Sequence, residues 1–249
     1  MTAIRAITFD FWSTLFRDVN SGPRQQMRMD AFADAAGLSV EVVSHALRQT
    51  WAEFDRHHRQ EQRTLSARDA VRLTAATLGI AFPPDAANDL ATVFATAILH
   101  HAPEPVEGAL EAVRAAAAFV PLGIVSDAGV SPGTALRTLL ERHGFLNYFR
   151  AFSFSDEVRV SKPQRPMFET AARNLGVTSK DLLHIGDLEY SDVAGAKAFG
   201  ARAALFTGDN ARYREHTQAD YVFSSWREFI DALPTLCDSS RKTSHGNTQ

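Results

Sequence analysis

An alternation of short apolar segments with helix-like segments is the feature that most constrains the fold of this chain. Residues 4–9, Ile-Arg-Ala-Ile-Thr-Phe, form a mostly apolar run that stops at Asp10. Such runs are typical of parallel strands that are buried on both faces. Similar runs occur at 121–126, 151–155, 182–185, 202–206 and, more briefly, 221–223. Because helical patterns separate them, we predict a doubly wound (Rossmann-like) parallel α/β sheet with right-handed crossovers.

A block with helical spacing interrupts this alternation after the first strand. The pattern predicts helices in the block over 29–36, 42–51, 70–78 and 83–99, and in the rest of the chain over 107–119, 132–143, 166–175 and 193–199. Ser66 is the expected N-cap of one helix, and Gly37 and Gly79 are expected helix ends. We therefore predict an all-helical insertion at 18–102, an α/β core formed by 1–17 and 103–237, and a disordered tail at 238–249.

The composition is that of an ordinary globular protein, with 45% hydrophobic and 22% charged residues. The net charge of −3 gives no electrostatic reason to expect binding to nucleic acid or to a membrane. No apolar run approaches the roughly 20 residues that span a bilayer, and no secretory signal pattern is present. Cys237 is the single cysteine, so no intramolecular disulfide is possible, which fits a reducing compartment. Together these features predict a cytoplasmic protein, and we expect a monomer or a homodimer.

Polar residues stand at the ends of three predicted strands. They are Asp10, the pair Ser126-Asp127, and Asp187. Ligands of open α/β sheets bind beyond the carboxyl ends of the strands, so these groups are expected to meet in one site. Any one of them alone is equally well explained as a turn residue. The whole set, together with Lys162 and Asp192, favours an active site.

Four motifs in this order resemble those of the haloacid dehalogenase superfamily. They are Asp10-Phe11-Trp12-Ser13-Thr14-Leu15, then Ser126, then Lys162-Pro163, and finally Gly186-Asp187 followed by Asp192. The resemblance implies that the helical insertion is a helical cap of the C1 type. The short segment between the second and third motifs leaves no room for a sheet-type cap.

The resemblance also implies a mechanism and a cofactor. Asp10 would attack phosphorus and form an aspartyl-phosphate, which splits one hard hydrolysis into two easier steps. The carboxylates of Asp10, Asp187 and Asp192 and the backbone carbonyl of Trp12 would hold Mg²⁺, which prefers oxygen ligands. Ser126 and Lys162 would bind the oxygens of the transferred group. A small phosphorylated metabolite is the expected substrate.

Trp12 departs from the superfamily pattern, because its phosphatases usually carry there a second Asp that transfers a proton. A good leaving group could make that acid unnecessary, or the polar run 56–64 could supply a substitute such as His57 or His58. That run is otherwise a solvated helix end. The residues expected to contact the substrate are Thr14, Asp127, His57 and Arg63. The alternatives are a carbon-centred hydrolase, similar to 2-haloacid dehalogenases, or a protein with a disabled site that binds a phosphorylated ligand. His184 is predicted to be an ordinary buried histidine.

Overall fold

The computed structural model describes residues 3–237. In chain order the helices and strands are β1 (Ala6–Phe9), β2 (Phe16–Arg17), α1 (Ser21–Ala36), α2 (Val40–Arg56), α3 (Ala67–Leu78), α4 (Pro84–His100), β3 (Glu104–Pro105), α5 (Ala109–Ala117), β4 (Leu122–Ser126), α6 (Gly133–Arg142), β5 (Phe149–Phe154), α7 (Ser155–Val158), α8 (Arg165–Leu175), β6 (Leu182–Gly186), α9 (Ala194–Phe199), β7 (Arg202–Phe206), β8 (Tyr221–Phe223) and α10 (Trp226–Cys237). Turns of π-helix lie at His57–Glu61 and Glu189–Val193. The predicted tail at 238–249 lies outside the described residues.

The central sheet has six strands in the order β5-β4-β1-β6-β7-β8, and neighbouring strands are parallel. The predicted α/β fold and its strands are therefore confirmed. In the sheet, β1 lies between β4 and β6. β4 is the next strand of this sheet along the chain, and β6 comes later in the chain. The strand order reverses there, and such a switch point opens a crevice at the carboxyl ends of the strands.

β1 is buried along its whole length because helices cover both faces of the sheet. Ile7 and Phe9 point to one face, and Phe9 meets the rings of Trp226 and Phe229 on α10 at 5.8 and 5.9 Å. Ala6 points to the other face, in the cluster that contains Phe168 of α8. This two-sided burial explains why the strand is almost uniformly apolar.

Helices α1 to α4 follow one another between β2 and β3 and share a hydrophobic cluster of their own. Phe32 and Phe94 are buried within that cluster. α3 begins with a capping box in which Ser66 and Asp69 each bond to the other's backbone amide. It ends at Gly79, whose φ of 67° suits a residue without a Cβ atom. These helices and their expected ends are confirmed.

A two-stranded antiparallel ribbon joins the segments that enter and leave the four-helix block. Its β2 and β3 pair Phe16 with Pro105 and Arg17 with Glu104. The sequence analysis did not predict this ribbon, because two residues per strand are too few to show a period. The ribbon lies beside the predicted boundaries near 18 and 102, although the division into core and cap remains a prediction. Within 3–237, no helix combines the length and the apolar character needed to cross a bilayer.

Candidate active site

Residues from four separate segments meet beyond the carboxyl ends of β1, β4 and β6. Asp10 follows β1, and Lys162 lies in the loop between α7 and α8. The Nζ atom of Lys162 donates to Oδ1 of Asp10 at 2.7 Å and to Oδ1 of Asp192 at 2.6 Å. Asp10 and Lys162 are only 4% and 3% exposed. The hydroxyl of Ser126, at the end of β4, is buried beside Asp10 and acts to lower the pKa of that carboxyl group.

A chain of hydrogen bonds orients Asp192. Nε2 of His184 lies 3.0 Å from Oδ1 of Asp192, and Nδ1 of the same ring lies 3.0 Å from Oγ1 of Thr8. Because a carboxylate can only accept, Nε2 is the donor to Asp192, and Thr8 Oγ1 is the hydrogen-bond partner of Nδ1. The Leu188 amide donates to Oδ2 of Asp192 at 2.9 Å. His184 is thus a buried histidine, as predicted, but its contact with Asp192 was missed.

Gly186 lets Asp192 approach the end of β6. A Cβ atom at Gly186 would lie 2.2 Å from Cγ of Asp192, a distance that real Cβ atoms do not reach. A larger residue would therefore displace Asp192 and weaken its contact with Lys162. The need for space beside Asp192 therefore explains why position 186 is a glycine.

Buried negative charge exceeds buried positive charge at this end of the sheet. One oxygen or more from each of Asp10, Asp187 and Asp192 lies within 4.8 Å of the others. Within 3–237, Lys162 is the one lysine or arginine that forms an ion pair with this group. Asn210 also helps to hold Asp187, donating to its Oδ2 at 2.7 Å. Sequence reasoning missed Asn210, which lies in a polar loop with no distinguishing pattern.

The pKa values of these acids reflect the charge imbalance. Burial, followed by repulsion from Asp192 and Asp10, raises the pKa of Asp187 to about 8. Burial also raises the pKa of Asp10, although Lys162 opposes it. Burial acts in the same direction on Asp192, but Lys162 and His184 hold its pKa below the ordinary value. The cluster of hard oxygen donors with surplus negative charge fits a divalent cation such as Mg²⁺.

A cavity of about 430 Å³ lies beside this cluster, between the four-helix block and the sheet. Trp12 and Asp127 line it from the sheet side, and Arg24, Arg28 and His58 line it from the helices. The Trp12 ring packs edge-on against Phe11 at 5.1 Å. A side chain that cannot transfer protons therefore forms part of the wall next to Asp10.

Asp127 and His58 face each other across the cavity. Nε2 of His58 lies 3.8 Å from Oδ2 of Asp127, whose Oδ1 accepts from the Lys162 amide at 3.0 Å. Burial raises the pKa of Asp127 to about 7, although Lys162 opposes it. Burial and then Lys162 lower the pKa of His58. Two groups able to exchange a proton thus line the same cavity as Trp12.

The other residues predicted to contact the substrate are placed differently. Arg63 lines the cavity with an exposed side chain, whereas His57 is not among the lining residues. Nδ1 of His57 pairs with Glu61 at 2.6 Å. The Thr14 hydroxyl is buried, with no hydrogen-bond partner in the part of the chain that the structure describes. Sequence reasoning missed Arg24 and Arg28, which resemble ordinary surface charges of a helix.

Comparisons with known proteins agree with the fold and the motifs. The model of the haloacid dehalogenase-like hydrolase family matches residues 4–200, and the chain belongs to this family. It is 29% identical over 132 residues to (S)-2-haloacid dehalogenase 2 of Pseudomonas sp. (strain CBS-3), covering 53% of each chain. It is 32% identical over 124 residues to pyrimidine 5'-nucleotidase YjjG of Escherichia coli, covering 49% of this chain and 51% of that one.

The alignments thus span about half the length of these curated relatives. A solved structure of 2-haloacid dehalogenase from Pseudomonas syringae pv. Tomato superposes with a TM-score of 0.67 at 19% identity, covering 94% of this chain and 97% of that chain. The chain is therefore a haloacid dehalogenase-like hydrolase, and its curated relatives include both a dehalogenase and a nucleotidase.

Proposed function

We propose that this protein is a Mg²⁺-dependent hydrolase of a small phosphorylated substrate, with Asp10 as the nucleophile. The observation that carries the proposal is the surplus of buried carboxylates around Lys162. Displacement of halide from carbon requires no divalent cation, whereas phosphoryl transfer commonly uses one to neutralise charge. The similarity to a nucleotidase also supports phosphoryl transfer as the reaction.

When bound, Mg²⁺ would neutralise charge on the phosphoryl group, with Asp10, Asp187 and the Trp12 carbonyl as the proposed protein ligands and Asp192 as a further ligand or a support. An Asp10 oxygen attacks phosphorus while the bond to the leaving oxygen breaks. Water then cleaves the aspartyl-phosphate, releasing phosphate and restoring Asp10. Lys162 and the buried Ser126 hydroxyl donate to the phosphoryl oxygens.

The proton for the leaving group comes from the His58–Asp127 pair in this proposal. Trp12 occupies the position of the usual acid, and both members of the pair line the same cavity. A carboxyl group with a pKa near 7 is suited to release and accept protons at neutral pH. Of the two histidines considered from the sequence, His58 is favoured because His57 pairs with Glu61 instead.

The test is a panel of phosphorylated metabolites, acyl phosphates and p-nitrophenyl phosphate, assayed with Mg²⁺ or with EDTA. We expect phosphate release by the wild-type protein with Mg²⁺, and no release by Asp10→Asn. Saturable ligand binding with no turnover would instead favour a disabled, phospho-ligand-binding protein. Hydrolysis that is unaffected by EDTA would contradict the metal assignment.

Carbon-centred hydrolysis is the second candidate. Trp12 stands where phosphatases of the superfamily usually carry an Asp that transfers a proton, and one relative is a 2-haloacid dehalogenase. Asp10 would then displace halide from carbon and form an ester that water hydrolyses. Metal-independent chloride release from 2-chloropropionate would support this function and overturn the first.

The cytoplasmic location and the monomeric or homodimeric state also stay predictions.

A further inference from the structure

Two arginines form a buried cationic wall in the cavity. Arg24 and Arg28 lie one turn apart on α1 and are 4% and 3% exposed. Arg24 pairs with Asp18 and donates to the His101 carbonyl at 2.8 Å. Like charges at this spacing on a helix repel each other. Their burial side by side therefore requires a source of negative charge.

Arg28 forms no ion pair with a carboxylate within residues 3–237, and Asp18 acts on it only from beyond ion-pair distance. The Nε atom of Arg28 donates to the Phe94 carbonyl at 3.1 Å, and its guanidinium lies 5.9 Å from the centre of the Trp51 ring. Its Nη2 atom is buried and has no hydrogen-bond partner within 3–237. A buried guanidinium with an unmet donor is costly, unless a ligand completes it.

The acidic residues that line the same cavity are already engaged. Asp18 belongs to Arg24, and Asp55 pairs with Arg59 at 2.6 Å. Asp127 accepts from the Lys162 amide and faces His58. On the buried part of this wall the two arginines thus outnumber Asp18, and Arg63 adds an exposed positive charge to the same cavity. Burial and the neighbouring Arg24 lower the pKa of Arg28 only to about 10, so the charge persists at neutral pH.

We propose that Arg28, supported by Arg24, binds a carboxylate of the substrate while the phosphoryl group lies at Asp10. A carboxylate is planar and accepts two parallel hydrogen bonds, which suits the guanidinium of Arg28. The volume of about 430 Å³ suits a small molecule. Resting on the proposed function for its phosphoryl end, this inference names small phosphorylated carboxylic acids as the substrate class.

The first experiment compares 3-phosphoglycerate with glycerol 3-phosphate, which has a hydroxymethyl group in place of the carboxylate. We expect wild-type kcat/KM to favour 3-phosphoglycerate by about tenfold or more, as for loss of a charge-assisted hydrogen bond. Arg28→Met should abolish this preference by lowering kcat/KM for 3-phosphoglycerate, while kcat/KM for glycerol 3-phosphate stays unchanged. Arg48→Met is the matched control, because Arg48 is exposed on α2 and contacts Ser44. An unchanged preference in Arg28→Met, or equal loss on both substrates, would overturn the inference.

A second experiment measures binding without turnover. Succinate is titrated into the wild-type protein and into Arg28→Met at constant ionic strength, and Tm is recorded. A saturable rise in wild type only would support the carboxylate site even if every phosphate ester resists hydrolysis, in which case the proposed function alone fails. The absence of any rise in wild type would overturn the inference. If Arg28→Met does not fold, Arg28→Lys replaces it and should weaken both effects several-fold, because it keeps the charge but loses the planar fork.

Discussion

At the scale of single residues, Lys162 is held by two carboxylates before any substrate arrives. Its bonds to Asp10 and Asp192 are 2.7 and 2.6 Å long. A flexible lysine in solution would lose rotamer freedom on binding a ligand, whereas here folding has already removed that freedom. Such preorganised charge is what stabilises an anionic transition state most effectively. Folding thus places the cation needed by the chemistry proposed for Asp10.

The partly buried carboxyl group of Asp127 makes stability depend on pH. Its folded pKa of about 7 lies above its ordinary 3.8, so the stability present at low pH falls as pH rises through that interval. Asp127→Asn cannot ionise and keeps an oxygen for the Lys162 amide. We expect the free energy of unfolding of this variant, relative to wild type, to rise by about 1–3 kcal/mol between pH 5 and pH 8 in urea titrations.

Asp220→Asn provides the opposite case for this measurement. Burial acts to raise the pKa of Asp220, but bonds from the Ala203 amide and Lys197 hold it below the ordinary value. This carboxylate is ionised in both folded and unfolded chains above pH 5, so the cost of Asp220→Asn should not change between pH 5 and pH 8. A similar pH trend in both variants would contradict the assignment to Asp127.

The proposed proton transfer predicts a dependence on the leaving group. His58→Gln should slow hydrolysis of alkyl phosphates by about 10²–10⁴, as for loss of a general acid–base group. Acyl phosphates should be affected little, because their leaving group needs little protonation. His57→Gln is the control and should match wild type. The measurement is steady-state kcat for an alkyl phosphate and for an acyl phosphate. An equal loss on both substrates would contradict a role for His58 in protonation.

At the scale of elements, short local signals determine where the helices of the four-helix block begin and end. Gly37 and Gly79 end α1 and α3 in the left-handed conformation. Pro23 fits inside the first turn of α1, where the missing amide of proline costs little. α1 thus begins at Ser21, earlier than the predicted start at 29, because polar residues in its first turns conceal the apolar period.

The capping box of α3 predicts a measurable loss of stability. Ser66→Ala removes the oxygen that accepts from the Asp69 amide at 3.2 Å. We expect a cost of about 1 kcal/mol, which lowers Tm by roughly 2–4 °C in thermal unfolding. Ser39→Ala is the comparison, since Ser39 precedes α2 without accepting from that helix's backbone. Equal losses in both variants would show that the capping bond is not responsible.

At the scale of the whole molecule, a loop of the four-helix block closes onto the segment that carries Lys162. The Gln62 carbonyl accepts from the Ser161 amide at 3.0 Å and from Nε2 of Gln164 at 2.8 Å. Thr64 donates to Ser155 at 2.6 Å. Because His58 and Arg63 belong to the same loop region, these contacts help to place them over the cavity.

Weakening this contact should loosen one region only. Gln164→Ala removes one of the two bonds to the Gln62 carbonyl, worth about 1 kcal/mol. We expect the amides of Arg63 and Ser161 to exchange with solvent about fivefold faster, since local opening becomes easier. The Ala70 amide in α3 should exchange at the wild-type rate. Uniform acceleration at all three amides, measured by NMR, would indicate global destabilisation instead.

Much of the fold and part of the site follow from local sequence. Two-sided burial requires an apolar β1, and the polar Asp10 marks where that strand must end. Gly37 and Gly79 end their helices in the left-handed conformation, as predicted. Asp10, Ser126 and Asp187 were predictable as neighbours because parallel strands bring their carboxyl ends together. These features depend on residue type and spacing, which a sequence shows directly.

The directions of side chains and the balance of charge were decided by the tertiary structure. His57 and His58 are adjacent in sequence, but only the packing of the π-helical turn turns His58 toward Asp127 and leaves His57 with Glu61. Arg28 has the sequence signature of a surface residue, yet contacts with distant α4 bury it. Asp10 was therefore predictable from the sequence alone. The charged groups around the cavity were not, because contacts between residues far apart in the chain decide their burial.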